Sequence, residues 1–156
     1  MARLVEICEA LGYEDVWTYV NSGNAVFDAA GSRAAIEVSM EDALETALGF
    51  EVESFVRTAA ELNKALSLGP VKVGDADTYF ITFLKTPPSA ATAKALEAAS
   101  NDFDTLIVRG RDVHWRMRGK STDTKLTPKT WNLLGTHRST SRNVNMLRKL
   151  AAKLGA

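Results

Sequence analysis

The hydrophobic period of this chain switches repeatedly between two residues and about 3.6, which restricts it to a mixed sheet-and-helix fold. Val16, Thr18 and Val20 alternate with Trp17 and Tyr19, a β-branched and aromatic pattern that predicts a strand. Ser22-Gly23 supplies a tight reversal, because Gly takes positive φ without strain. Asn24 to Phe27 then returns as the partner strand. Helical spacing comes before and after this hairpin. Leu4, Cys8 and Leu11 form one stripe ahead of the stop at Gly12, so Cys8 is expected in the core. Ser32 caps a second helix that runs to about Leu48.

Phe50 to Arg57 alternates again and predicts a strand. Thr58 and Glu61 have the spacing of a capping box, opening a helix that ends near Leu68, before Gly69-Pro70. The nearly continuous apolar run Thr78 to Leu84 predicts a strand at a central position in a sheet. Ser89 caps a helix through Ala99, and Thr105 to Arg109 with Asp112 to Arg118 predict a hairpin around Gly110-Arg111. In its second strand Val113, Trp115 and Met117 share one face, while Asp112, His114, Arg116 and Arg118 share the other. Thr127-Pro128 opens a short helix, and a last helix is expected from Thr140 to Leu154.

The element orders divide the chain into a first lobe over residues 1–69, a linker over 70–77 and a second lobe over 78–156. The expected fold is α+β, with two ferredoxin-like (alpha-beta plait) lobes, each lacking one strand of the β-α-β-β-α-β order. The first lobe lacks its leading strand. An exposed strand edge there is expected to favour dimerisation.

Charge separates the lobes more sharply than composition does. Residues 1–70 hold 4 Lys/Arg against 12 Asp/Glu, and residues 71–156 hold 15 against 7. From Thr105 onward the count is 12 basic to 2 acidic. Such asymmetry points to an anion-binding face, to two lobes that screen one another, or to ordinary solvated faces. Cys8 is alone, which excludes an intrachain disulfide. The two histidines, His114 and His137, lie far apart in sequence and make a poor metal set. No metal or cofactor is expected. No apolar run reaches the length of a membrane span, and Glu6 and Glu9 stand where a leader would be apolar. The expected compartment is the cytoplasm.

The segment Tyr19-Val20-Asn21-Ser22-Gly23-Asn24-Ala25-Val26-Phe27, with Leu11-Gly12-Tyr13 before it, resembles the signature of domain-of-unknown-function family 1697 (DUF1697). Thr124-Lys125-Leu126 and Thr140-Ser141-Arg142-Asn143 stand where that family has its later motifs. The resemblance implies an uncharacterised bacterial protein of two plait-like lobes. It also implies a strand and a glycine-rich loop ahead of the first helix, where this sequence has Met1. Val144 and Met146 replace the Trp and Thr usual in the family after Arg-Asn.

No nucleophile elbow, phosphate-binding loop or dinucleotide fingerprint occurs, so an enzyme is not the leading expectation. Hydroxyls and free N–H groups at a helix start, with a Lys and an Arg nearby, suit a small anionic or phosphorylated ligand. The expected ligand-binding residues are Asn21, Asn24, Lys125, Thr140, Ser141, Arg142 and Asn143. Plain helix capping explains the same Thr and Ser. The alternative is a nucleic-acid-binding module using the basic second lobe with His114, Trp115 and Trp131. Against it, the strands lack the aromatic pattern of RNA-binding segments.

Overall fold

The computed structural model describes residues 2–19, 23–135 and 138–155. The chain is α+β, with a two-stranded and a four-stranded sheet among the described residues. It forms two compact units, residues 1–56 and 57–156, so the division falls earlier than the Gly69-Pro70 boundary expected from the sequence.

In the first unit α1 (Ala2–Ala10) and α2 (Arg33–Leu48) accompany a hairpin of β1 (Glu14–Tyr19) and β2 (Asn24–Asp28). The strands pair antiparallel, with Trp17 opposite Val26 and Tyr19 opposite Asn24. Val20, Asn21 and Ser22 lie outside the described residues, and with them part of the expected turn. A register shift between Glu14 and Trp17 holds Asp15 at φ 51°, a bulge that bends the first strand. Cys8, Met40 and Leu44 are buried, and the rings of Tyr13 and Phe27 stack at 4.5 Å beside them. Cys8 is fully enclosed, as its apolar stripe implied.

Residues 50–57, expected as a strand, belong to neither sheet. The reason lies in their hydrogen bonding. The Val56 N–H donates to Glu37 Oε2 at 3.0 Å, so a carboxylate occupies the place of a neighbouring strand. Glu37 is buried and also accepts from Arg33 at 2.7 Å. Alternation supplied the extended conformation, but a ladder also needs a partner backbone.

The second unit contains α3 (Ala59–Leu68), β3 (Thr78–Phe83), α4 (Ala90–Ala98), β4 (Asp104–Arg109), β5 (Asp112–Met117), α5 (Pro128–Trp131), β6 (Thr140–Asn143) and α6 (Val144–Lys153). Its sheet has the order β4-β5-β3-β6 and is antiparallel throughout. Here the structure corrects the sequence reading. Residues 140–143 form an edge strand beside β3, and the last helix begins only at Val144. Phe80, Leu106, Val113, Trp115 and Met117 share one sheet face and pack with Leu96 of α4 and Leu134. Fully burying such a side chain contributes about 1.5–3 kcal/mol. The capping box at Thr58 and Glu61 is formed, and Ser89 caps α4. On α6, Val144, Leu147, Leu150 and Ala151 are buried, while Arg148, Lys149 and Lys153 are exposed.

The outer edge of β4 is closed by side chains. The Leu106 N–H donates to Ser100 Oγ at 3.0 Å and the Val108 N–H to Glu97 Oε2 at 2.9 Å. Two outward amides that would invite another strand are thereby satisfied.

Candidate functional site

The second face of the four-stranded sheet carries polar side chains among apolar ones. The registers put Tyr79, Ile81 and Phe83 of β3 with Asp112, His114 and Arg116 of β5, Thr105 of β4, and Thr140 and Arg142 of β6. Among them His114 is 0% and Arg116 7% exposed. Tyr79 Oη is hydrogen-bonded to His114 Nδ1. Arg116 donates from Nη2 to Thr105 Oγ1 at 2.5 Å and from Nη1 to the Lys72 carbonyl at 3.2 Å. Both acceptors are neutral.

Four buried side-chain atoms among the described residues lack a hydrogen-bond partner in the protein: Glu53 Oε2, Arg111 Nη1, His114 Nε2 and Arg116 Nε. Three of them therefore fall between Arg111 and Arg116. Buried polar atoms are nearly always paired, so each of these atoms calls for a physical explanation.

The ends of this face are tied down. Arg57 donates to Asp112 Oδ1 at 3.0 Å and to the carbonyls of Leu84 at 2.7 Å and Arg111 at 3.0 Å. Its guanidinium also lies over the Phe83 ring, 5.1 Å from the centroid. Arg111 pairs with Glu61 of α3. Burial draws the Arg57 pKa below its usual value, with Asp112 opposing that shift.

The expected site residues scatter. Asn21 lies outside the described residues. Asn24 is in the first unit, where its side chain donates to the Tyr19 carbonyl at 3.1 Å and closes the hairpin. Lys125 belongs to the β4 edge: its N–H donates to Asp104 Oδ2 at 2.9 Å, and its Nζ pairs with Asp102 at 2.5 Å. The other four residues make up β6, at the opposite edge, three strand spacings or roughly 14 Å across the sheet. Thr140 Oγ1 accepts from Arg142 at 2.6 Å, and Ser141 shares a hydroxyl hydrogen bond with Thr82 at 2.7 Å. Asn143 caps α6 by accepting from the Asn145 N–H at 2.8 Å. Arg142 and Thr140 thus share the polar face with His114 and Arg116, whereas Lys125, Ser141 and Asn143 have structural bonds elsewhere. Burial lowers the Arg142 pKa.

Asp104 explains the Thr124-Lys125-Leu126 segment. Its carboxylate is fully enclosed and accepts from Trp115 Nε1 at 2.9 Å, Thr124 Oγ1 at 2.6 Å, Asn101 Nδ2 at 3.1 Å and the Lys125 amide at 2.9 Å. The loop after β5 is pinned to the start of β4 by this one side chain. Trp115 is only 8% exposed and packs edge-on against the half-buried Trp131 at 5.3 Å, so the Trp115 ring forms no open stacking platform.

His114 gives this face a pH signature. Burial lowers its pKa; Asp112 opposes the shift and Arg109 reinforces it. Below the ordinary histidine value of about 6.5, the unfolded chain takes up a proton that folded His114 refuses. Stability therefore declines as pH falls from that value towards the folded pKa, by at most about 1.4 kcal/mol per pH unit for one proton. Urea unfolding on either side of that value should show the decline, and His114→Gln should flatten it. An identical slope in wild type and variant would contradict the assignment.

Among the described residues no group of three or more His, Cys, Asp or Glu is placed to hold a metal ion, and no helix is long and apolar enough to cross a membrane. The chain is thus an α+β protein with a cationic, partly unsatisfied sheet face. The model of the family described as "Protein of unknown function (DUF1697)" matches residues 1–114, and the chain belongs to that family. The match ends before Lys125 and before Thr140–Asn143. A solved structure, "conserved bacterial protein SP0830 from Streptococcus pneumoniae", is similar with a TM-score of 0.75. The similarity covers 100% of this chain and 89% of that one at 19% identity, which speaks for the fold alone. No curated protein matches the sequence significantly.

Proposed function

We propose that this protein binds a small anionic or phosphorylated ligand on the polar sheet face of its second unit. Arg116 carries the reading. Its guanidinium is buried, both its acceptors are neutral, and its Nε–H has none. A cation enclosed without a counter-charge is costly, and an incoming anion offsets that cost. Arg142 and Thr140 occupy the same face from β6, next to the start of α6. The reading is one of binding, and no residue is assigned a catalytic role.

We also propose a plait-like architecture for each unit. The antiparallel order β4-β5-β3-β6 supports a ferredoxin-like plait in the second unit, with its second helix reduced to α5. The helix-strand-strand-helix order of the first unit supports an incomplete plait. A bacterial cytoplasmic setting fits the bacterial origin of the similar solved protein and a lone, enclosed cysteine.

Calorimetric titration with inorganic phosphate, pyrophosphate and ATP tests the function. At least one should bind saturably. Arg116→Gln and Arg142→Gln should each weaken it about tenfold, or about 1.4 kcal/mol. No binding by wild type, or affinity unchanged in both variants, would contradict the proposal.

A further inference from the structure

We infer that Tyr79 fixes His114 as a neutral hydrogen-bond donor, and that His114 Nε2–H and Arg116 Nε–H together grip one oxyanion, carboxylate or phosphate, of the ligand. This deepens the anion-binding reading and rests on it.

The tautomer follows from counting partners. If Tyr79 Oη donates to Nδ1, the ring proton is on Nε2, and one donor is left without an acceptor. If Nδ1–H donated to Tyr79 Oη instead, the phenol proton would have no acceptor and Nε2 would be a bare, enclosed lone pair. The first arrangement leaves fewer groups unsatisfied. Burial also disfavours the charged ring, and it raises the Tyr79 pKa, against which Arg148 acts. Both partners are therefore neutral near pH 7.

Arg116 is two residues further along β5 on the same face, so the two Cα atoms are about 7 Å apart. Its Nη1 and Nη2 are held by Lys72 and Thr105, which fixes the guanidinium plane and hence the direction of Nε–H. Both unpartnered nitrogens thus belong to neighbouring positions of one sheet face, and an oxyanion accepts N–H···O bonds of about 2.9 Å from more than one donor. A single water is the competing occupant. Water offers the same acceptor oxygen but no charge, and leaves the buried guanidinium without a counter-ion. Tyr79 is then a positioning residue, acting through the ring it orients.

Ring-selective NMR of the 15N-labelled protein decides, with inorganic phosphate and acetate titrated separately. The free protein should show His114 with a pyrrole-like Nε2 and a pyridine-like Nδ1. Phosphate, acetate or both should move His114 Nε2 and Arg116 Nε along one shared binding curve, and the two arms tell which oxyanion is taken. Tyr79→Phe should release a mixture of tautomers and weaken binding about two- to threefold, through loss of the competent population. A proton on Nδ1 in wild type would overturn the inference. So would an anion that binds while both signals stay still, though that result leaves the anion-binding reading standing. If neither anion binds, the inference falls, and the anion-binding reading falls with it only if pyrophosphate and ATP also fail to bind.

Discussion

Asp104→Ala is expected to destabilise the second unit by about 4 kcal/mol, because it leaves one buried and three part-buried donors without their acceptor, at about 1–3 kcal/mol for a buried donor and less for the others. The Trp115 indole, the Thr124 hydroxyl, the Asn101 amide and the Lys125 N–H all converge on this carboxylate. Burial alone would raise its pKa. The hydrogen bonds from Thr124, Trp115, Lys125 and Asn101 outweigh burial and hold it below the usual carboxylate value. A carboxylate with a depressed folded pKa stabilises above its unfolded value of about 3.9 and loses that contribution as pH falls through the folded pKa. Urea unfolding followed by tryptophan fluorescence measures both effects, since Trp115 and Trp131 belong to this unit. The variant should lose midpoint at neutral pH and show a weaker acid dependence than wild type. A loss below about 1 kcal/mol, the net worth of one ordinary hydrogen bond, would mean that the Asp104 bonds are not what holds the loop.

Arg57→Ala should cost about 3 kcal/mol, the lower end for removing one partner of a buried ion pair. The side chains of Arg57 and Asp112 are only 8% and 15% exposed, so Asp112 would be left as an uncompensated charge. Two carbonyl acceptors and the face of Phe83 would lose their partner as well. Adding Asp112→Asn should recover part of the loss, because the stranded charge is then gone. Equal stability of Arg57→Ala and the double variant in urea would show that the pair is not coupled.

The sequence exposed the elements whose residues satisfy their own local rules. Thr58 with Glu61, and Ser89, announced their helices because a cap is read from side chains within one turn. Trp115 was legible as core because Val113 and Met117 share its face by simple alternation. β6 was not legible. Thr140-Ser141-Arg142-Asn143 has the composition of a helix start, and Asn143 does cap α6, yet the preceding residues pair with β3. A short polar edge strand has no apolar alternation to reveal it. Residues 50–57 show the converse: their alternation is real, but Glu37 meets the Val56 amide where a strand would.

The site divides along the same line. Arg142 is named by its motif, whereas the sequence shows Arg116 only as the polar side of a strand and offers His114 beyond that only to a weak metal set and to the nucleic-acid alternative. What distinguishes them is burial with an unpartnered nitrogen, and burial is set by elements distant in sequence. Lys125 failed as a companion to Arg142 because Asp102 and Asp104 hold it at the opposite sheet edge.

A crystal structure of the protein grown with inorganic phosphate tests the central claim most directly. The expected result is an oxyanion about 3 Å from both His114 Nε2 and Arg116 Nε. A lone water bridging the two nitrogens, or phosphate bound only on other surfaces, would contradict it.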